Sequence, residues 1–344
     1  MSSINMGVVG TGIFAKHLHY PAIQSLESNP IKITAAFNRT RAKAEEYAKF
    51  ASIPSEKVYD TLDEILADES VDAIDALLPV QYNLSTIEAA VKAGKPICIE
   101  KPIAGNLEDA KAIVKLSQET DVPVMILENW FYYQGNQKVL EHLPSIGKVF
   151  NFTHTCIDTF APTSKYQTTS WRMKPHHIGG YLSDGGVHQM AASTSISGPV
   201  KSVNASTTQV REESGDVDTL TALMRLESGA FGSYTYTTVI GACKKVNKIE
   251  IYGEEGSIVY DLSDKEGAII DVYCAKKEKQ TFTVKENFYG ISGEFANFYE
   301  AVSAKDKSFI KCKVEDAYSH LAIIWACLTS AEQGSKSVDV PGYN

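Results

Sequence analysis

Ile4-Asn5-Met6-Gly7-Val8-Val9-Gly10-Thr11-Gly12-Ile13-Phe14-Ala15 is the stretch that decides the fold. An apolar strand-like run ends in Gly-x-Gly-x-x-Ala, and helical spacing follows over Ile13–Leu26. The first glycine permits a tight turn, and the second lets a pyrophosphate approach the backbone. The small third residue lets helix pack on strand, while N–H groups at the helix start bind phosphate. Such a loop is a weak signal alone and a stronger one in a strand–turn–helix context within a long βαβ series. The competing reading is a glycine turn in some other α/β protein. Gly10, Thr11, Gly12, Ile13 and Phe14 are therefore candidate cofactor-binding residues.

The series continues outward from this loop. Ile31–Phe37, Ala73–Leu78, Pro96–Ile99 and Val122–Leu127 read as strands, and Thr40–Phe50, Leu84–Ala93 and Leu107–Glu119 as helices. Strands apolar on both faces predict a parallel sheet covered by helices. Beyond about residue 145 the pattern changes to period-two alternation, over Val200–Val210, Thr219–Leu226, Ala230–Thr238 and Val246–Tyr252. Glu227-Ser228-Gly229 and Gly253-Glu254-Glu255-Gly256 have hairpin-turn composition. Helices are expected after Asp184 and across Gly293–Ser303 and Glu315–Gln333. The expected fold class is α/β: a Rossmann-type parallel sheet over residues 1–127, then an α+β domain over 128–344 with a large, mostly antiparallel open sheet.

Bulk properties bound the function. The 344 residues suffice for two cored domains, and 44% hydrophobic with 22% charged residues is ordinary for a globular protein. A net charge of −9 without a basic block argues against nucleic acid and against an anionic membrane surface. No apolar stretch reaches the roughly 18 residues of a spanning helix. The N-terminus lacks the pattern of a secretory signal. Six cysteines without a Cys-x-x-Cys pair read as reduced, packing thiols, so a cytoplasmic location is expected.

The end of the second strand speaks to cofactor choice. A site for NAD usually carries Asp or Glu there. This chain has Phe37-Asn38-Arg39-Thr40-Arg41, with no carboxylate until Glu45. Asn38 suits a ribose or phosphate oxygen, and the planar fork of Arg39 suits a 2′-phosphate. The bland alternative is a solvated basic helix start, which the helix dipole disfavours. The expectation is NADP(H) in preference to NAD(H).

Ligands of open α/β sheets lie at the carboxyl ends of strands. Leu78 and Pro79 end one strand, and Glu100-Lys101-Pro102 follows another. Lys101 is the candidate catalytic amine, able to donate to a substrate hydroxyl or carbonyl oxygen. An isolated strand-end lysine would be read as exposed; the cofactor loop and Pro102 reverse that. Downstream, Asp184 reads as a helix N-cap, with His188 four residues on along the same face. The pair suits substrate orientation and proton transfer by His188. The bland reading is a cap plus a packed histidine. Metal ligation with His176 or His177 is a minor alternative, and no metal is expected. Asn129 and Trp130, and Trp171 and Arg172, fall where they line the cleft or, equally, fill core and surface roles. His17, His19, His142, His154 and His320 have no partner pattern and read as structural.

With Gly10-x-Gly12-x-x-Ala15, Glu100-Lys101-Pro102 and Asp184-x-x-x-His188 in place, the chain resembles the glucose–fructose oxidoreductase/inositol dehydrogenase family over essentially its whole length. Ala35-Ala36-Phe37-Asn38-Arg39, Asp75-Ala76-Leu77-Leu78-Pro79, Glu128-Asn129-Trp130 and Leu182–Gln189 resemble its fungal NADP(H)-dependent members. The resemblance implies a Rossmann domain, an open sheet used for substrate and oligomer contacts (a homodimer or tetramer), and Lys101, Asp184 and His188 as the catalytic group. One departure is Gln81-Tyr82-Asn83, where many relatives place a histidine after the position of Pro79. Asn83 is the candidate replacement in cofactor contact.

The expected function is hydride transfer between NADP(H) and a sugar, polyol or small carbonyl compound. Two other readings remain. One is a dinucleotide-binding sensor without turnover, which need not keep lysine, aspartate and histidine together. The other is an NAD-dependent glycosidase, against which Asn38-Arg39 argues.

Overall fold

The computed structural model describes residues 3–159, 177–264, 267–285 and 288–344. Two compact units are present: Met1–Asn129 with Asn287–Tyr318, and Trp130–Glu286 with Ser319–Asn344. The chain therefore leaves the first unit, returns to it for a second segment, and ends in the second unit.

The first unit is built on a six-stranded sheet: β1 (Ile4–Val9), β2 (Ile31–Phe37), β3 (Val58–Tyr59), β4 (Ala73–Ala76), β5 (Ile97–Glu100) and β6 (Val124–Leu127). The order is β3-β2-β1-β4-β5-β6, and every pairing is parallel. The order reverses between β1 and β4, which opens a crevice at their carboxyl ends, where such sheets take dinucleotides. β4 and β6 are buried throughout, as strands covered on both faces must be. The helices are α1 (Tyr20–Gln24), α2 (Arg41–Ala51), α3 (Leu62–Ala67), α4 (Asn83–Lys92) and α5 (Leu107–Glu119). Thr61 and Glu64 cap α3 reciprocally, and Asn106 caps α5 through the Asp109 N–H.

The sequence predicts one helix over Ile13–Leu26. The structure divides it into a wide π-helical segment, Ala15–His19, and α1. Pro21 supplies the reason: it has no N–H for the preceding turn, so the ladder loosens just before it.

The second unit contains α6 (Gln134–His142), α7 (Tyr181–Asp184), α8 (Gly186–Ser197) and a nine-stranded sheet. The strands are β7 (Val149–Thr159), β8 (Val200–Thr208), β9 (Thr219–Leu226), β10 (Phe231–Ile240), β11 (Val246–Gly253), β12 (Gly256–Asp261), β13 (Ala268–Cys274), β14 (Gln280–Val284) and β15 (Val338–Asp339). Their order is β14-β13-β12-β11-β7-β10-β9-β8-β15. All pairs are antiparallel except β7 with β10. Alternation is strict in β9: Leu220, Ala222, Met224 and Leu226 are buried, and Thr221, Leu223 and Arg225 face outward. The inner residues pack with Leu182, Met190, Ile323, Ile324 and Cys327. The two turn-like stretches do connect β9 to β10 and β11 to β12.

Two late helices complete the fold: α9 (Ile291–Ala304), which belongs to the first unit, and α10 (Val314–Glu332), which runs from the first unit into the second. All six cysteines are free thiols. No helix among the described residues is long and apolar enough to cross a membrane. Phe298 of α9 is fully buried. Its replacement by Ala is expected to destabilise the chain by about 3–5 kcal/mol in urea denaturation. A loss under about 1 kcal/mol would show that α9 adds little to the core of the first unit.

Candidate active site

In the first unit, β1 delivers the glycine loop. Gly10 has φ +95°, and a Cβ there would lie 2.2 Å from the Leu77 carbonyl oxygen, so only glycine fits. The Gly10 N–H donates to the Phe37 carbonyl at 2.8 Å, which ties the loop to the end of β2. A Cβ at Gly12 would meet nothing within 4 Å; this is the open side, by which a ligand reaches the backbone. Ala15 is fully buried among Val8, Ala36 and Ala44, which explains the small third residue. These residues fit a dinucleotide pyrophosphate: a strained glycine, an open glycine and a helix start whose first N–H groups lack intrahelical partners.

Asn38 joins the loop to the strand end. Its Nδ2 donates to Thr11 Oγ1 at 3.1 Å, and its Oδ1 accepts from the Thr40 N–H at 3.0 Å. Arg41 is occupied, with Asp60 at 2.8 Å and Glu45 at 3.1 Å. Arg39 is exposed and has no ion-pair partner among the described residues.

Leu77 continues the sheet bonding past β4, its N–H donating to the Val9 carbonyl at 2.8 Å, and Leu78 and Pro79 follow at this edge. Lys101 comes directly after β5 and is half-buried. Asn83 proves to be a clamp on its loop. Its side chain is fully buried, and Nδ2 lies 3.1, 3.0 and 3.3 Å from the carbonyl oxygens of Glu100, Pro102 and Ile103. Asn129 Nδ2 donates to the Tyr289 carbonyl at 2.6 Å. The Glu100 carboxylate accepts from His19.

In the second unit, Asp184 is not an N-cap. It is the last residue of α7, and Gly185 occupies the cap position of α8 without a side-chain bond. One helix ends at Asp184 and the next starts at Gly186, which the Asp-to-His spacing does not reveal. Asp184 lines a pocket of about 240 Å³ together with Asp158, Thr159, Tyr181, Gly185, Tyr236 and Thr238. A Cβ on Gly185 would meet the Tyr236 hydroxyl at 1.9 Å, so glycine makes room for the phenol. Burial first, then Cys156 and Asp184, push the Tyr236 phenol up, so it keeps its proton and bonds with Thr238. His188 is half-buried and stacks on Trp130, with centroids 5.9 Å apart and planes at 21°. His177 Nδ1 lies 2.8 Å from Ser183 Oγ, just before Asp184. Trp171, Arg172 and His176 lie outside the described residues. Among the described residues, no group of three His, Cys, Asp or Glu is arranged to hold a metal ion.

Sequence pattern does not mark His19, Asp75, Asp158, Tyr181 or Tyr236. His19, which reads as structural, is held between two carboxylates. Only a contact map pairs residues 19, 75 and 100; the one available signal is an Asp in the middle of an otherwise apolar strand.

Sheet order, glycine loop and lysine loop define a dinucleotide-binding oxidoreductase architecture. Residues 4–128 match the oxidoreductase family's NAD-binding Rossmann fold, and residues 143–340 match its C-terminal alpha/beta domain. The chain belongs to this family, that of glucose–fructose oxidoreductase and inositol dehydrogenase. It is 46% identical to an uncharacterised protein of Saccharomyces cerevisiae, over 99% of each chain. It is 33% identical to a solved oxidoreductase of Thermotoga maritima, with 98% of each chain covered and a TM-score of 0.86. A third relative, a D-xylose 1-dehydrogenase (NADP(+)) of Haloferax volcanii, is 26% identical over 65% of this chain and 66% of its own.

Gly10→Ala is expected to weaken NADPH binding about tenfold or more, because the loop must move off the Leu77 carbonyl. Fluorescence titration of NADPH measures this, and unchanged affinity would remove the loop from the cofactor site.

Proposed function

We propose that this chain is an NADP(H)-dependent oxidoreductase that transfers hydride between the nicotinamide and a sugar, polyol or small carbonyl compound. The observation that carries the reading is Lys101. It leaves the carboxyl end of β5, two strands from the glycine loop, on a backbone clamped at residues 100, 102 and 103. A lysine held there has a use beyond solvation.

The bound dinucleotide supplies or accepts the hydride. The protein's residues do the rest. Lys101 donates a hydrogen bond to the substrate oxygen and polarises it. His188, its ring steadied on Trp130, gives or takes the proton of that oxygen. Asp184 orients the substrate by accepting hydrogen bonds from its hydroxyls. The pocket around Asp184 is rich in acceptors and phenols, which suits a hydroxyl-bearing compound. The D-xylose dehydrogenase relative supports a sugar substrate and NADP. Preference for NADP(H) rests on Arg39, exposed beside the Asn38–Thr11 bond, whose planar fork would suit a 2′-phosphate on the ribose of a bound dinucleotide.

Self-association as a dimer or tetramer belongs to the same proposal. The outward face of the nine-stranded sheet carries Leu223, Phe231, Ile269 and Tyr273, all more than 40% exposed. Leu223 and Phe231 lie on neighbouring strands and Ile269 and Tyr273 on β13, and exposed apolar side chains at these two places favour a second copy.

NADPH consumption with a panel of sugars, dicarbonyls and aldehydes tests the activity. Lys101→Ala is expected to lower kcat about a hundredfold or more while NADPH binding stays measurable. Undiminished turnover would take Lys101 out of the chemistry. Dinucleotide binding with no turnover of any panel member would instead favour the sensor reading. For cofactor choice, Arg39→Asp is expected to reverse the ratio of kcat/KM for NADPH over NADH, and a wild-type preference for NADH would overturn the assignment.

A further inference from the structure

His19 stands on the helical turn that follows the glycine loop, and its side chain is 1% exposed. Its Nδ1 lies 2.9 and 3.1 Å from the two carboxylate oxygens of Asp75, which is fully buried in the middle of β4. Its Nε2 lies 2.9 Å from Glu100 Oε1, at the end of β5. A neutral imidazole carries one N–H, and two carboxylates on opposite nitrogens need two. The ring is therefore an imidazolium that donates to both. Burial alone pulls it toward the neutral form, but Asp75 and Glu100 outweigh burial and hold its pKa well above the usual histidine value.

The surroundings are consistent with this charge. From α9, Phe295 presents its ring to His19 at 5.0 Å, edge on, and Glu294 faces the same space. Burial, and next the Glu100 charge, push the Glu294 carboxyl well up, so Glu294 keeps its proton; its Oε2 has no partner among the described residues. From β5, Cys98 Sγ lies 3.9 Å from Asp75 Oδ1. From the loop side, Phe14 makes an edge contact at 6.2 Å. Asp75, His19 and Glu100 thus bond in a line from the sheet centre to the residue before Lys101.

A buried ionic line is a poor means of stability alone, since apolar side chains of the same volume often do as well or better. What it supplies is direction. The Glu100 side chain is fixed by His19, and the Glu100 carbonyl and the two residues after Lys101 are fixed by Asn83. The backbone of Lys101 is bracketed from both sides. His19 also belongs to the turn that the glycine loop starts.

We propose that His19 is a positioning residue for Lys101: it ties the cofactor-loop turn to Glu100 and fixes the backbone from which the Lys101 side chain leaves. This rests on the reading of Lys101 as the amine that meets the substrate oxygen.

The test uses the full chain with His19→Gln, which keeps similar volume and one amide donor but cannot carry the charge. Exposed His17→Gln, two residues away, is the control. With ¹⁵N-labelled histidine, the His19 signal, assigned by its loss in His19→Gln, is expected to show both ring nitrogens protonated at pH 7.5; a neutral tautomer would overturn the proposal. After reductive ¹³C-methylation of lysines, the Lys101 signal, assigned with Lys101→Arg, is expected to move in His19→Gln and to stay in His17→Gln. An unmoved signal in His19→Gln would also overturn it.

On the fastest substrate of the panel, kcat for His19→Gln is expected to fall about 10- to 100-fold, with the NADPH Kd within about twofold. Unchanged kcat with only a lower Tm would mean a structural role and sink the proposal. Should His19→Gln not fold, Glu100→Gln removes the charge of the same link and carries the same Lys101 and kcat readouts. Stability carries a sign as well. The link contributes fully below the unfolded histidine pKa of about 6.5 and is lost as pH rises through the raised folded value. That alkaline loss is expected to be absent in His19→Gln. An active Lys101→Ala would refute the functional reading of Lys101 and leave the imidazolium result standing, so the two failures are distinguishable.

Discussion

Parallel pairing of β1 with β4 and of β4 with β5 is the constraint on which the nucleotide-binding unit depends. Parallel strands end together, so the loops that follow Val9, Ala76 and Glu100 emerge side by side. Two of those loops touch directly: the space a Cβ on Gly10 would occupy is filled by the Leu77 carbonyl. The third is Lys101's. No residue in these loops chooses its neighbours; the register of three strands does. A one-residue slip would turn Asp75 away from His19 and end the line to Glu100.

Charge burial then sets the detail at that edge. Two of the buried histidines meet opposite fates. His154 of β7 has an amide oxygen for a partner, Asn247 Oδ1 at 3.2 Å, and burial lowers its pKa to about 4. It is a neutral packing residue. His19 has carboxylates on both sides and is charged. The same imidazole, equally dehydrated, becomes a neutral spacer or a fixed cation according to what the facing strands supply. Asp75 in turn is tolerable in the middle of a parallel strand only because that cation is opposite it.

Much of the architecture is legible in the residues. Ile4–Val9, Ile31–Phe37, Leu107–Glu119 and Thr219–Leu226 are found at the bounds their patterns predict, because burial on two faces, helical spacing and strict alternation are local signals. Local chemistry also explains the failures. Pro21 broke a helix whose apolar spacing ran straight through it. Asp184 has the composition of a cap but lies one residue short of the position, which Gly185 takes. Asn83 sits where a cofactor contact is expected, yet its amide serves the backbone around Lys101, a use that depends on a strand end seventeen residues away. His19 shows the limit most clearly. Its partners lie 56 and 81 residues on, and only the sheet order brings them to it. Residues that act through sequence neighbours are readable; residues that act through strand order are not.

The pocket in the second unit shows the same limit. Its acid groups come from two elements, Asp158 near the end of β7 and Asp184 at the end of α7, and its phenols from α7 and β10. Lys245 lies 3.9 Å from Asp158, too long for a tight pair, and so offsets the negative field only in part. An anionic substrate group brought against Asp158 and Asp184 meets like charge, whereas a neutral hydroxyl finds acceptors in the carboxylates. Tyr236, holding its proton and bonded with Thr238, adds a phenol that is fixed rather than swinging. Under the proposed function, a pocket so lined favours neutral polyhydroxy compounds over phosphorylated or carboxylated ones. The pocket is assembled from three elements, β7, α7 and β10, which is why motifs read along the chain contain the catalytic candidates and omit Asp158, Tyr181 and Tyr236.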